Sequence, residues 1–270
     1  MDIPIVYMVA GLSSRFGGKI KQFAKVGPNN ETLIEYSLNQ ALKAGFNKII
    51  FVVGNNTEKP FKEMFRNTYK GIPVQYTYQK YNPLERDKPW GTVDALCSIK
   101  EIINCGFVIC NGDDIYGESS FKILFDHLKE KDTSATVGYN LLKVLPEKGT
   151  VNRGIFEAKD NKIASIKEIF NISKENLSEK GLNENSLANM NIFAFQPEVL
   201  EKLNKTLIEF KEKYKGDRKI ECLLPTEINN LIKNSELIIE LYPTSEKWLG
   251  ITNPEDEFKV KQELQKQNIN

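Results

Sequence analysis

From Ile3 to Cys110 the chain alternates short apolar runs with amphipathic segments, and few folds accept that pattern. Residues 3–8, 48–53, 74–78 and 107–110 read as buried strands. Between them, residues 31–44 carry Leu33, Ile34, Leu38, Ala41 and Leu42 at helical spacing, and Gly45 is placed to end that helix. Residues 57–69 read as a helix with Pro60 in its first turn. Residues 92–104 repeat the pattern through Val93, Leu96, Ile99, Ile102 and Ile103. Parallel strands joined through helices require right-handed crossovers, so the expected fold is α/β: a mixed, mostly parallel sheet with helices on both faces. Ligands of such sheets sit beyond the carboxyl ends of the strands. The loops after the first, third and fourth strands then converge on one edge.

The second half is built differently. Residues 134–141, 152–158 and 163–167 are shorter strand candidates, and 170–187, rich in Asn, Ser, Glu and Lys, reads as a mobile loop or lid. A strand over 188–195, helices over 197–214 and 225–233, and a last strand over 237–241 follow. The charged tail from Glu255 is expected to be a surface helix. No repeat or linker divides the chain, so one domain over 1–270 is expected.

Composition removes several classes of function. Lys+Arg and Asp+Glu number 37 and 36, for a formal charge of +1, which gives no footprint for nucleic acid. No apolar run approaches the roughly 18 residues of a membrane span. The N-terminus lacks a basic n-region and a cleavage site, so no signal peptide and a cytoplasmic protein are expected. The four cysteines, Cys97, Cys105, Cys110 and Cys222, form no CxxC and are expected to be buried thiols. The one histidine, His127, falls in a polar stretch read as an exposed helical turn, which argues against zinc and against histidine-based catalysis.

The chemistry is concentrated after the strands. Residues 9–22 read V-A-G-L-S-S-R-F-G-G-K-I-K-Q. Small side chains after a strand let backbone N–H groups approach a ligand and cradle phosphate oxygens. Arg15 and Lys21 add the positive charge that a triphosphate needs. No G-K-[ST] closes the loop, so it is not a P-loop, and Gly11 lacks the continuation of a dinucleotide fingerprint. After the fourth strand, Asn111-Gly112-Asp113-Asp114 places carboxylates where they can hold Mg²⁺ against phosphate oxygens. Gln79 ends the third strand, and Trp90-Gly91-Thr92 opens the next helix, with Thr92 as its expected N-cap.

These motifs resemble those of the sugar-phosphate nucleotidyltransferases, the enzymes that make NDP-sugars. Their A-G-G-x-G-T-R loop, followed by a Lys-Gln or Pro-Lys pair, is similar to Ala10, Gly11, Leu12, Ser13, Ser14 and Arg15 with Lys21-Gln22. The resemblance implies a Rossmann-like fold related to the GT-A glycosyltransferases. It also implies that Asp113 is the metal ligand, with Asp114 ranked second. Gln79, Gly91 and Thr92 would hold nucleobase and ribose, and K-P-W-G-T resembles the K-P-W-G-T-G-H-A segment of one branch of these proteins. Gly138 and Gly154 match the glycines on which the sugar phosphate lies. Glu168 matches the glutamate of S-x-x-E-K-P, with Ile169 and Phe170 in place of the Lys and Pro, and Asn191 matches an Asn facing the substrate. One departure concerns the metal: Gly250 stands where W-x-D-x-G-T supplies a second Asp, leaving only Glu255 and Asp256 nearby.

The resemblance thus implies transfer of a nucleoside monophosphate from an NTP, a pyrimidine NTP being favoured, to a phosphorylated acceptor such as a sugar 1-phosphate, with Mg²⁺ and release of pyrophosphate. A nucleotide-binding half over about 1–133 and a substrate half over about 134–270 follow. No nucleic-acid or membrane partner is expected, and homo-oligomerisation stays open. Three alternatives remain: a cytidylyltransferase acting on phosphocholine or a phosphorylated amino acid, a glycosyltransferase using Asp113 and Asp114, and a nucleotide-binding sensor.

Overall fold

Alternating side chains of the first strand enter two different apolar layers, and this organises the molecule. The structure, a computed structural model, describes residues 2–11 and 16–267. Strand β1 (Pro4–Met8) sends Ile5 and Tyr7 to one layer and Val6 to the other, all fully buried. A strand buried on both faces must be covered on both, as a central parallel strand is. The first layer is completed by helices α1 (Leu33–Ala44), α2 (Glu58–Phe65) and α4 (Glu118–Glu130). The second is completed by α3 (Thr92–Cys97), α6 (Glu198–Lys213) and α7 (Leu224–Lys233). Each fully buried Leu or Ile contributes about 1.5–3 kcal/mol, so the α1 face of Leu33, Ile34, Leu38 and Ala41 holds that helix to the sheet. Its ends are fixed locally: Thr32 and Glu35 form a capping box, and Gly45 closes it at φ 118°.

The remaining strands are β2 (Lys48–Val53), β3 (Thr68–Tyr69), β4 (Ile72–Tyr78), β5 (Phe107–Asn111), β6 (Asp114–Ile115), β7 (Ser134–Asn140), β8 (Val151–Lys159), β9 (Lys162–Ile172), β10 (Leu187–Asn189), β11 (Phe193–Phe195), β12 (Ile239–Thr244) and β13 (Leu249–Gly250). Short helix α5 (Leu141–Val144) follows β7, and α8 (Asp256–Gln267) ends the described chain. Eleven strands form one sheet in the order β10-β8-β9-β12-β7-β11-β5-β1-β2-β4-β3, while β6 and β13 pair separately. β1, β2, β4 and β5 are mutually parallel, and β7 and β12 are parallel to each other. Because β11 is antiparallel to both β5 and β7, those six strands all run one way. The sheet is therefore the expected mixed, mostly parallel kind, and it runs unbroken from the first half of the chain into the second.

Several elements differ from the sequence reading for identifiable reasons. The helix expected over 57–69 stops at Phe65, where Arg66 takes φ 51°, and Lys70 and Gly71, both at positive φ, turn β3 back onto β4. The helix expected over 92–104 ends at Cys97. Beyond it the hydrogen bonds tighten to i→i+3, from Ile99 to Leu96 and from Lys100 to Cys97. The strand expected over 188–195 is two strands, broken where Asn191 adopts φ 57°. Much of the expected lid is fixed: β9 continues through Ile172, and Leu182 is buried in the first apolar layer. The tail is the expected surface helix, exposed along most of its residues, and it is anchored by Val260 and Leu264, which bury into a third cluster with Phe16, Val26, Leu33, Ile115, Leu249 and Ile251. His127 is buried, not exposed: its Nε2 reaches the Thr133 carbonyl at 2.8 Å and its Nδ1 the Tyr242 hydroxyl at 3.1 Å.

Candidate active site

The carboxyl edge of β1, β4 and β5 carries a cleft of about 360 Å³, lined by Met8, Ala10, Gly11, Gln79, Lys88, Pro89, Gly91, Thr92, Ala95, Asn111 and Glu221. Ala10, Gly11, Gln79, Gly91 and Thr92 are thus brought together as the sequence reading expects. Leu12, Ser13, Ser14 and Arg15 lie outside the described residues. Gln79 is buried, and its Nε2 donates both to the Gly91 carbonyl at 2.8 Å and to the Asp94 carboxylate at 3.0 Å. Gly91, not Thr92, is the N-cap of α3, at φ 99°. A Cβ there would lie 2.6 Å from the Cys222 carbonyl oxygen, so only glycine lets the segment before α7 pass so close. The Thr92 hydroxyl instead accepts from the Leu224 N–H at 2.8 Å and ties α3 to α7.

Two cleft residues escaped the sequence reading, Lys88 and Glu221, which are ion-paired across it. They meet because Arg86, 4% exposed, donates to the carbonyls of Lys88, Asp217 and Ile220 and stacks on Trp90 with 3.4 Å between guanidinium carbon and ring centroid. Arg218 pairs with Asp87 beside it. The loop after β4 is therefore bound to a segment more than a hundred residues away, and no local pattern announces that contact.

A second, more polar cavity of about 250 Å³ adjoins the first. Asn111 lines both. Its other residues include Asp113, Asp114, Asn152, Arg153, Gly154, Glu168, Asn189, Asn191 and Trp248. Gly154 faces Glu168 across the β8–β9 ladder and Asn189 across β8–β10, so three strands deliver this wall. Gly138 is not part of it: it lines neither cavity, and a Cβ there would meet Leu187 at 2.9 Å and Leu241 at 3.1 Å, so it serves strand packing. Asn152, Arg153, Asn189 and Trp248 were not singled out from sequence; a basic residue just before a strand glycine was the one signal present.

Close to Asn111 in sequence, Asp113 and Asp114 line the second cavity. Lys21, on a 3₁₀ turn (Lys21–Phe23), is ion-paired to Asp113. Asp114 is buried, and its Oδ2 accepts from Asn111 Nδ2 at 2.9 Å and from the Tyr116 hydroxyl at 3.1 Å. Burial first, and then the neighbouring Asp113 charge, push the Asp114 carboxyl above the usual carboxylate range. Burial also raises Glu168, against the pull of Arg153, and lowers Arg153, whose Nε finds no partner among the described residues. Gly250, opposite Asp114 in the β6–β13 pair, has no room for a side chain: a Cβ would lie 2.4 Å from the Trp248 ring and 2.5 Å from Asp114 Oδ1. No cluster of three or more metal-ligating side chains occurs among the described residues. Two adjacent carboxylates fit Mg²⁺ nonetheless, since that ion usually takes one or two carboxylates and completes its shell with water and phosphate oxygens.

The nucleotidyl transferase family model matches residues 18–267. The chain belongs to the nucleotidyl transferase family. It is an enzyme, a nucleotidyltransferase. Among solved structures, this nucleotidyltransferase is similar to a protein from Bacillus anthracis assigned as a glucose-1-phosphate thymidylyltransferase, at TM-score 0.71 and 15% identity over 98% of this chain and 95% of that one. It is also similar to the inositol-1-phosphate CTP transferase of T. maritima, at TM-score 0.67 and 13% identity over 98% and 96%. A UDP-glucose pyrophosphorylase complexed with UDP-glucose matches at TM-score 0.67 and 17% identity over 99% and 100%. At these identities the structural likeness establishes the fold, which is Rossmann-like. A comparison with curated proteins gives no match. No helix among the described residues is long and apolar enough to cross a membrane.

Proposed function

We propose that this nucleotidyltransferase moves a nucleoside monophosphate from a pyrimidine NTP to a sugar 1-phosphate, giving an NDP-sugar and pyrophosphate. The observation that carries the reading is the meeting of two cavities at Asn111, with Asp113 and Asp114 in the lining of the second and Lys21 ion-paired to Asp113. A transfer between two phosphates needs both substrates to present their reacting groups at one charged point. The first cavity suits base and ribose; the second suits the acceptor. Its lining of Asn111, Asn152, Asn189, Asn191, Glu168 and Arg153 offers many hydrogen-bonding groups to a polyhydroxylated ring. A choline group would instead ask for an aromatic cage, and the one aromatic ring of that lining, Trp248, is packed on Gly250. The reading is also in keeping with neighbours of the fold that act on glucose 1-phosphate and inositol 1-phosphate.

In this reading an acceptor phosphate oxygen attacks the α-phosphorus, the α–β phosphoanhydride bond breaks, and pyrophosphate leaves with the electron pair. The nucleophile is already anionic, so the protein needs no general base and works by positioning and charge stabilisation. Asp113, with Asp114 beside it, would hold Mg²⁺, which when bound supplies positive charge between the two phosphates. Lys21 brings a second cation beside Asp113, and the sequence motif assigns Arg15, which lies outside the described residues, to the same task. Gln79 and Gly91 orient the base, while Glu168 and Asn191 orient the acceptor. The test is a screen of pyrophosphate release over UTP, dTTP, CTP, ATP and GTP against sugar 1-phosphates, inositol 1-phosphate and phosphocholine. Release that requires a sugar 1-phosphate supports the reading; release with phosphocholine alone replaces it.

A further inference from the structure

Gln79 is held so that it can act toward a ligand in only one sense. Its amide nitrogen has two hydrogens, and both are donated within the protein, to the Gly91 carbonyl and to Asp94 Oδ2. A carbonyl and a carboxylate oxygen are both acceptors, so turning the amide over would set oxygen against oxygen twice. Asp94 is itself held: it is 8% exposed, and the Lys211 ammonium of α6 donates to its other oxygen, Oδ1. Lys211 in turn lies 5.9 Å from the centroid of the Trp90 ring, which packs edge-on against Phe210 of the same helix. The chain Lys211–Asp94–Gln79 thus runs from a helix of the second half to the wall of the first cavity. What remains for a ligand is Gln79 Oε1, an acceptor with no donor among the described residues.

We infer that Asp94, fixed by Lys211, is a positioning residue that makes Gln79 an obligate acceptor, and so selects nucleotides whose base presents a ring N–H. This rests on the reading of the first cavity as the nucleotide site. Uracil and thymine carry an N–H at N3, whereas cytosine carries a lone pair there. Guanine and adenine differ in the same way at N1. Two facing acceptors leave a buried group unpaired, and sites built on one hydrogen bond reject the analogue that lacks it strongly. UTP and dTTP are the preferred pyrimidine nucleotides, and CTP the disfavoured one, by about tenfold or more in affinity.

Equilibrium binding of UTP, dTTP, CTP, GTP and ATP to the whole protein by calorimetry, with Mg²⁺ and without acceptor, tests this. The expected ranking places UTP or dTTP at least about tenfold above CTP, and GTP above ATP if purines bind. In Asp94→Ala the UTP-to-CTP ratio should fall toward one, because Gln79 keeps a single anchor and can turn. A merely structural role for Asp94 would weaken all nucleotides together and leave the ratio unchanged, which overturns the inference. Should Asp94→Ala not fold, the wild-type ranking decides alone: CTP bound as tightly as UTP and dTTP overturns it. Gln79→Ala separates the two readings. If that variant weakens every nucleotide while the wild type favours CTP, only the acceptor lock fails. If it changes no affinity, the nucleotide site itself is elsewhere and the inference falls with it.

Discussion

Asp113, in the lining of the second cavity, is ion-paired to Lys21, each about one-fifth exposed, so neither is needed to fill the core. Replacing Asp113 by Asn is expected to lower turnover on the order of a hundredfold or more, since metal-held charge stabilisation is worth several kcal/mol. Chelation of divalent cations should have an equally severe effect, reversed by adding Mg²⁺. Lys21→Ala should also depress kcat, yet shift stability by only about 0.5–1 kcal/mol, because partly exposed ion pairs contribute little. Steady-state kinetics beside thermal melts would check both; a large fall in melting temperature with normal activity of the folded fraction would make the loop structural. Gly250 allows a sharper test. Restoring a carboxylate there by Gly250→Asp should not raise activity, because the Trp248 ring and Asp114 occupy the space a Cβ needs. Overpacking of this kind costs about 1–3 kcal/mol, visible as a lowered melting temperature.

At the scale of elements, the nucleotide cavity depends on the loop after β4 being clamped to residues 214–224. Arg86 is the centre of that clamp, with three carbonyl acceptors and the Trp90 face. Arg86→Ala would leave carbonyls unpaired and lose the stack, an expected cost of about 2–4 kcal/mol. Amide exchange should then accelerate selectively over residues 80–91, and the NTP KM should rise more than the acceptor KM. Uniform acceleration across the sheet would instead mean that Arg86 merely stabilises the whole. At the opposite end, Glu240 on β12 is tied to the end of α4 by Lys131, Thr133 and Tyr242. The Lys131 hydrogen bond foremost lowers its pKa from the usual 4.5 to about 2. In the unfolded chain Glu240 takes up a proton near its ordinary value, while the folded state resists until about 2. The stability it contributes is therefore present above about 4.5 and lost as pH falls through about 2. The site is near the surface, so about 1 kcal/mol is at stake. Acid unfolding of Glu240→Gln, compared with wild type, should show a smaller loss of stability across that window.

For the whole molecule, the two cavities meet at Asn111, and the proposed function gives base recognition to the first and acceptor recognition to the second. Gln79→Ala is expected to change the ranking of NTPs and leave the acceptor preference intact. Glu168→Ala should do the reverse, by roughly ten- to a hundredfold, the worth of a charged hydrogen bond to a substrate hydroxyl. The ratio of kcat/KM for two NTPs and two acceptors with each variant decides it. Altered NTP choice in Glu168→Ala would move the acceptor site elsewhere. The division is not strictly one of sequence halves, because Glu221 and the Cys222 backbone close the nucleotide cavity from the second half.

What was legible in the residues is what depends on neighbours along the chain. Apolar runs of β1, β2 and β5, the capping of α1, and the Asn111-Gly112-Asp113-Asp114 turn follow from periodicity and turn chemistry, which act over a few residues. The placement of Ala10, Gly11, Gln79, Gly91 and Thr92 along one cleft follows too, because parallel strands bring their carboxyl ends to one edge. Tertiary structure alone decided the rest. Asn191 breaks the strand where the outer partner changes from β8 for β10 to β5 for β11, while both still pair with β7, and Val260 and Leu264 found a cluster that their charged surroundings concealed. Gly138 proved to be a packing position because Leu187 and Leu241 press on it from other strands. Arg86, Asp94, Lys211 and Glu221 owe their roles to groups more than a hundred residues away. Their side chains are ordinary in sequence, since a charge or a ring acquires a function only from what the fold sets against it.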